Sequence, residues 1–128
     1  MIADGVTLGR IPLRRECVSH ATIDLCAELP GRGRRCYAFP MLDVVPPDPG
    51  RLLAAARAIE GARQDGEVLV YCALGYSRSP SVVATWLAMT GRAGSVDEAV
   101  ERVRAVRPRI VLGDEAKQAI AEADERAQ

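Results

Sequence analysis

One stretch constrains this chain more than any other: the run EVLVY, Glu67 to Tyr71, followed by CALGYSRSP and then by SVVATWLAM, Ser81 to Met89. A short apolar run bounded by a turn signal, here Gly66, has the pattern of a strand buried on both faces. Nine residues apolar on nearly every side read as a helix passing through a core, and Pro80 suits the first turn of such a helix. Only a short loop separates the two, so a central strand must hand the chain almost directly to a buried helix. A unit of that kind cannot stand alone. Both elements need apolar cover, which a layered α/β arrangement supplies.

The flanking sequence offers that cover. VSHATIDL, Val18 to Leu25, mixes β-branched and small residues and reads as a strand, and CYAFPML, Cys36 to Leu42, reads as a second. The turn GRGRR, Gly31 to Arg35, separates them and is read as solvated. After the loop VVPPDPG, Asp48 has the character of an N-cap with Pro49 at the first helical position. Leu52, Leu53, Ala56 and Ile59 then make one apolar face that continues to Ala62. Ser95 and Glu98 have capping-box spacing ahead of a stripe of Val96, Ala99, Val100 and Val103 that Pro108 stops. A last helix is expected from Asp114 to about Ala127. Strands alternating with helices predict an α/β fold with a small, mostly parallel central sheet flanked by helices on both faces. The 128 residues, 1–128, are taken as a single domain.

Composition narrows the function classes. Lys+Arg 17 balances Asp+Glu 17, and all of the cations but Lys117 are arginine, so the surplus positive charge of a nucleic-acid binder is missing. No stretch approaches the roughly 20 apolar residues of a membrane-spanning helix, and the first fifteen residues hold no continuous apolar segment of a signal peptide. The four cysteines, Cys17, Cys26, Cys36 and Cys72, form no Cys-x-x-Cys pair and are too sparse for a disulfide scaffold. The expectation is a reducing, cytoplasmic setting.

The chemistry sits between the strand and the helix. A tight loop entering a helix N-terminus aims several backbone N–H groups at one point, with the positive end of the helix dipole behind them. A cysteine at the strand end faces that potential, which favours thiolate over thiol and makes Cys72 a nucleophile. Arg78, at the start of the helix, offers a planar fork of donors that matches two oxygens of a phosphate. Gly75 lets the loop turn tightly.

The segment VLVYCALGYSRSPSVV resembles the signature Cys-x-x-Gly-x-x-Arg-Ser/Thr of the cysteine-dependent phosphatases, and looks most like their compact dual-specificity branch. The Asp43 stretch, the Ser95 helix and RPRIVL, Arg107 to Leu112, follow that family's order, so the resemblance spans nearly the whole chain. It implies that Cys72 attacks phosphorus, that Arg78 binds the phosphate and stabilises the transition state, and that Ser79 eases departure of the thiolate. Ala73, Leu74, Gly75, Tyr76 and Ser77 would line the substrate phosphate. Asp43, 29 residues before Cys72, would be the general acid and base; Asp48 is its competitor. No metal or cofactor is implied. Asp24-Leu-Cys-Ala-Glu28 is similar to a stretch of lipid phosphatases in this superfamily, which implies a reversible disulfide between Cys26 and Cys72; an ordinary buried cysteine is the alternative. Tyr71 departs from the pattern, for a histidine is usual there.

The loop between Cys72 and Arg78 holds no Lys or Arg. Relatives that act on highly phosphorylated inositol lipids carry basic residues there, so the resemblance implies a single phosphate group. The expected partner is a phosphorylated protein, with phosphotyrosine ahead of phosphoserine or phosphothreonine. A monophosphorylated lipid is the second option, and a weakly active phosphate-binding module the third.

Overall fold

The computed structural model describes residues 2–10, 21–26, 36–41, 47–72, 78–110 and 112–127. Four strands, β1 (Val6–Arg10), β2 (Ala21–Cys26), β3 (Cys36–Met41) and β4 (Val68–Cys72), form one sheet in the order β1-β4-β2-β3. All three pairings are parallel. The strands therefore end on a common edge, where parallel α/β sheets usually present their sites. Cys72 ends β4, an interior strand with β1 on one side and β2 on the other.

The helices are α1 (Pro49–Arg63), α2 (Arg78–Met89), α3 (Val96–Val106) and α4 (Asp114–Arg126). α1 touches β2, β3 and β4, α2 touches β1 and β4, and the two helices pack against each other. α3 packs on α2, and α4 lies across both α1 and α2. Alternation along the strands puts Val6 and Leu8, Ala21, Ile23 and Leu25, and Val68, Val70 and Cys72 in the cluster shared with the helices. The other face is closed too at its centre, since Tyr71 is fully buried although it stands outside that cluster.

Local rules account for most boundaries. The Asp48 side chain accepts a hydrogen bond from the Arg51 N–H at 3.0 Å, and Pro49 opens α1 behind it. Leu52, Leu53, Ala55, Ala56, Ile59 and Ala62 make its buried face. At α3 the Ser95 hydroxyl accepts from the Glu98 N–H at 3.1 Å. The return bond of a capping box is displaced by one residue, because Glu98 accepts from the Gly94 N–H at 2.8 Å and not from that of Ser95.

Three expectations shift. β1 has no counterpart in the sequence reading: it is five residues long, contains Gly9 and Arg10, and owes its existence to a parallel ladder with β4 that runs from Val6↔Val68 to Arg10↔Cys72. The strand expected over 67–71 runs from Val68 to Cys72, so Cys72 belongs to the sheet. The helix expected from Ser81 begins at Arg78, so Arg78 and Ser79 lie in its first turn.

A polar cluster ties the helix layer to the start of the chain. Glu60 of α1 accepts hydrogen bonds from Arg63 at 2.9 Å and from the Trp86 indole at 3.0 Å. Arg92 lies over the Trp86 ring, 4.5 Å from its centroid, and bonds Asp4 at 2.7 Å. The Arg63 hydrogen bond holds the Glu60 carboxyl below its ordinary pKa against a smaller opposing effect of burial, with the Trp86 bond and the charges of Arg63 and Arg92 adding to the lowering.

Candidate active site

β4 and α2 meet around one sulfur. Cys72 is 2% exposed, and its Sγ accepts a hydrogen bond from the Ser79 backbone N–H at 3.4 Å. The Ser79 hydroxyl lies 3.5 Å from the same sulfur. Ser79 is fully buried and Arg78 is 5% exposed. A guanidinium so far from water is costly unless an opposite charge or good acceptors answer it, and Arg78 has partners in the structure.

The first turn of α2 contains no acidic residue. The other described helices begin differently: α1 is capped by Asp48, α3 carries Asp97 and Glu98 in its first turn, and α4 carries Asp114 and Glu115. A carboxylate at a helix start satisfies the free N–H groups and the dipole. At α2 the Ser79 N–H is met by the Cys72 sulfur. Among the described residues no three His, Cys, Asp or Glu side chains gather at metal-binding spacing.

Cys72 and Ser79 thus meet at the sulfur, and Arg78 precedes Ser79 in the first turn of α2. The loop Ala73, Leu74, Gly75, Tyr76 and Ser77 lies outside the described residues, as does Asp43. Asp48 is occupied as the cap of α1. Cys26 closes β2 with its backbone opposite Met41, past a register shift after Asp24; its side chain is outside those described. The contribution that sequence reading did not anticipate is the Ser79 backbone N–H. A main-chain donor carries no residue signature, and only the helix starting at Arg78 aims it at the sulfur.

Comparison with known proteins identifies the family and the fold. Residues 50–126 match the family model described as dual specificity phosphatase, catalytic domain. No curated protein matches the chain. Among solved structures, Tk-PTP in its active form is 32% identical, with 98% of this chain and 95% of that one aligned at a TM-score of 0.86. Human DUSP28 is 23% identical over 98% and 94% of the two chains with a TM-score of 0.83. PTPMT1 in complex with PI(5)P is 20% identical over 98% and 94% with a TM-score of 0.85; these last two share the fold. The chain belongs to the dual-specificity phosphatase catalytic-domain family, whose members are phosphatases.

Proposed function

We propose that this protein hydrolyses phosphomonoesters through a phosphocysteine intermediate, and that its substrates are phosphotyrosyl proteins, with phosphoserine and phosphothreonine accepted as well. The observation that carries the reading is the Cys72 sulfur held by the Ser79 N–H at 3.4 Å, at a helix start that has no carboxylate of its own.

In the first step the Cys72 thiolate attacks phosphorus. The S–P bond forms, the P–O bond to the leaving group breaks, and Asp43 gives its proton to the departing oxygen. Arg78 and the N–H groups of residues 73–78 carry the charge spread over the equatorial oxygens. In the second step water attacks phosphorus, Asp43 takes a proton from it, and the S–P bond breaks, returning thiolate and inorganic phosphate. Ser79 assists there, because a hydrogen bond to sulfur stabilises the thiolate as it leaves. No step calls for a cofactor. Thiolate chemistry requires a reducing compartment, which supports a cytoplasmic location.

A monophosphorylated lipid is the second reading, since a loop without Lys or Arg between Cys72 and Arg78 limits the number of phosphates rather than what carries them. The experiment compares a phosphotyrosyl peptide, a phosphothreonyl peptide and a monophosphorylated phospholipid, with Cys72→Ser as control. Fastest turnover of the phosphotyrosyl peptide, lost by at least about a thousandfold in Cys72→Ser, is the expected result. Comparable turnover in that variant removes the covalent mechanism. Fastest turnover of the phospholipid moves the substrate class, and binding without turnover on all three makes the protein a phosphate-binding module.

A further inference from the structure

The helix that carries Arg78 and Ser79 is gripped toward its far end by a bond that the reaction scheme leaves unused. Ser79 and Trp86 stand seven residues apart on α2 and are both fully buried; two turns of helix return to the same face about 10 Å further along. On that face the Ser79 N–H reaches the Cys72 sulfur at 3.4 Å and its hydroxyl lies 3.5 Å away. Two turns on, the Trp86 indole N–H donates to Glu60 Oε1 of α1 at 3.0 Å. Glu60 is a fixed post, because Arg63 meets both of its oxygens at 2.9 Å. Arg92 lies 4.5 Å over the indole ring and bonds Asp4 at 2.7 Å, so the ring is held by its face as well as by its edge.

Apolar packing is non-directional, so the aliphatic side chains buried along α2, those of Val82, Val83, Ala84 and Leu87, specify its rotation about its own axis only weakly. The hydroxyls of Thr85 and Thr90 add nothing to that, because they turn back onto the carbonyls of Ser81 and Trp86. The Trp86 indole bond is different. It crosses to α1, and α1 packs on β4, the strand that ends in Cys72. Any turn of α2 about its axis that breaks the bond at Trp86 also swings Ser79 away from the sulfur. We infer that Trp86 is a positioning residue, whose bond to Glu60 fixes the rotation of α2 and with it the aim of the Ser79 N–H and hydroxyl at Cys72. It touches neither substrate nor the reacting atoms, and the inference rests on the phosphatase reading above.

Three variants separate the bond from its surroundings. Trp86→Phe keeps an aromatic ring and removes the N–H, Glu60→Met removes the acceptor and leaves the indole in place, and Glu60→Gln keeps an acceptor oxygen while discarding the charge. Two quantities are measured on the folded full chain: steady-state hydrolysis of an aryl phosphate, and the NMR shift of the Ser79 amide proton. Trp86→Phe and Glu60→Met should each lose about three- to tenfold in kcat, by order of magnitude the weight of one hydrogen bond. KM should stay within about twofold, and the Ser79 amide should move toward the position of a weaker hydrogen bond. Glu60→Gln should lower the melting temperature near neutral pH yet keep kcat and the Ser79 shift of the parent. An unchanged kcat or an unmoved Ser79 shift in the variants that lack the bond overturns the inference. An equal loss in Glu60→Gln overturns it as well, because the effect is then one of general stability. If Trp86→Phe does not fold, the contrast between Glu60→Met and Glu60→Gln decides by itself. If the parent protein hydrolyses no phosphomonoester, the phosphatase reading fails, while the Ser79 shift still decides the role of Trp86.

Discussion

The helices α2 and α3 both have a serine at their start, and the two serines do opposite work. Ser95 stands before α3, and its hydroxyl accepts a hydrogen bond from the Glu98 N–H while two carboxylates occupy the first turn. Ser79 stands inside the first turn of α2 and directs its own N–H, with its hydroxyl nearby, toward the Cys72 sulfur. The first helix start is electrostatically finished by its own chain. At the second, Arg78 stands where carboxylates would, and the Ser79 N–H goes to a sulfur from the neighbouring strand. One helix start is closed by its own side chains, and the other is tied to the end of β4.

The largest expected effect comes from making α2 resemble α3. Ser79→Asp puts a carboxylate at the proposed phosphate site, and kcat/KM for an aryl phosphate should fall by at least about a hundredfold; a smaller loss would mean that the helix start does not carry the anion. Arg78→Lys keeps the charge and removes the fork. A comparable loss of about 10²- to 10³-fold in kcat, measured at saturating substrate, would show that bidentate geometry matters beyond charge.

Ser79→Ala is the subtler change. It leaves the backbone N–H in place and removes the hydroxyl, so the second step should slow by about tenfold. Rapid-quench kinetics with an activated aryl phosphate should then show a burst of product release that the parent lacks. The matching change at the structural terminus, Ser95→Ala, should cost about 1 kcal/mol of stability in denaturant unfolding with kcat unchanged.

The smallest effect concerns pH and lies far from the site. Folding lowers the Glu60 pKa, chiefly through the Arg63 hydrogen bond. The unfolded chain therefore takes up the proton at higher pH than the folded one does. The resulting stabilisation is fully present above the ordinary glutamate value and fades as pH falls through the lowered folded value. Unfolding midpoints of the parent and of Glu60→Gln should differ near neutrality and converge in acid; a gap independent of pH would assign the effect to packing around Trp86 instead.

Much of this was legible in the residues. Asp48 before Pro49, the Ser95 to Glu98 spacing and the apolar runs on either side of the loop encode local preferences that act within a turn or a strand. β1 was not legible. Val6 and Leu8 alternate with Thr7 over too short a span to stand out, and the ladder with β4 depends on residues some sixty positions away. The N-cap role of Asp48 was legible too and is seen at α1, while Asp43 lies outside the described residues.

What the sequence determined by itself is the family pattern: a cysteine and an arginine six positions apart, at the two ends of a short loop between an apolar strand and an apolar helix. These residue types and their spacing admit few other uses. What only the tertiary structure decided is the environment of that pattern. Burial of Arg78, the approach of the Ser79 N–H to sulfur and the enclosure of Tyr71 on the far face all require β4 to be held between β1 and β2 while α2 packs across it. Such contacts join segments remote along the chain, and no local pattern can encode a distance that exists only after the layers have closed.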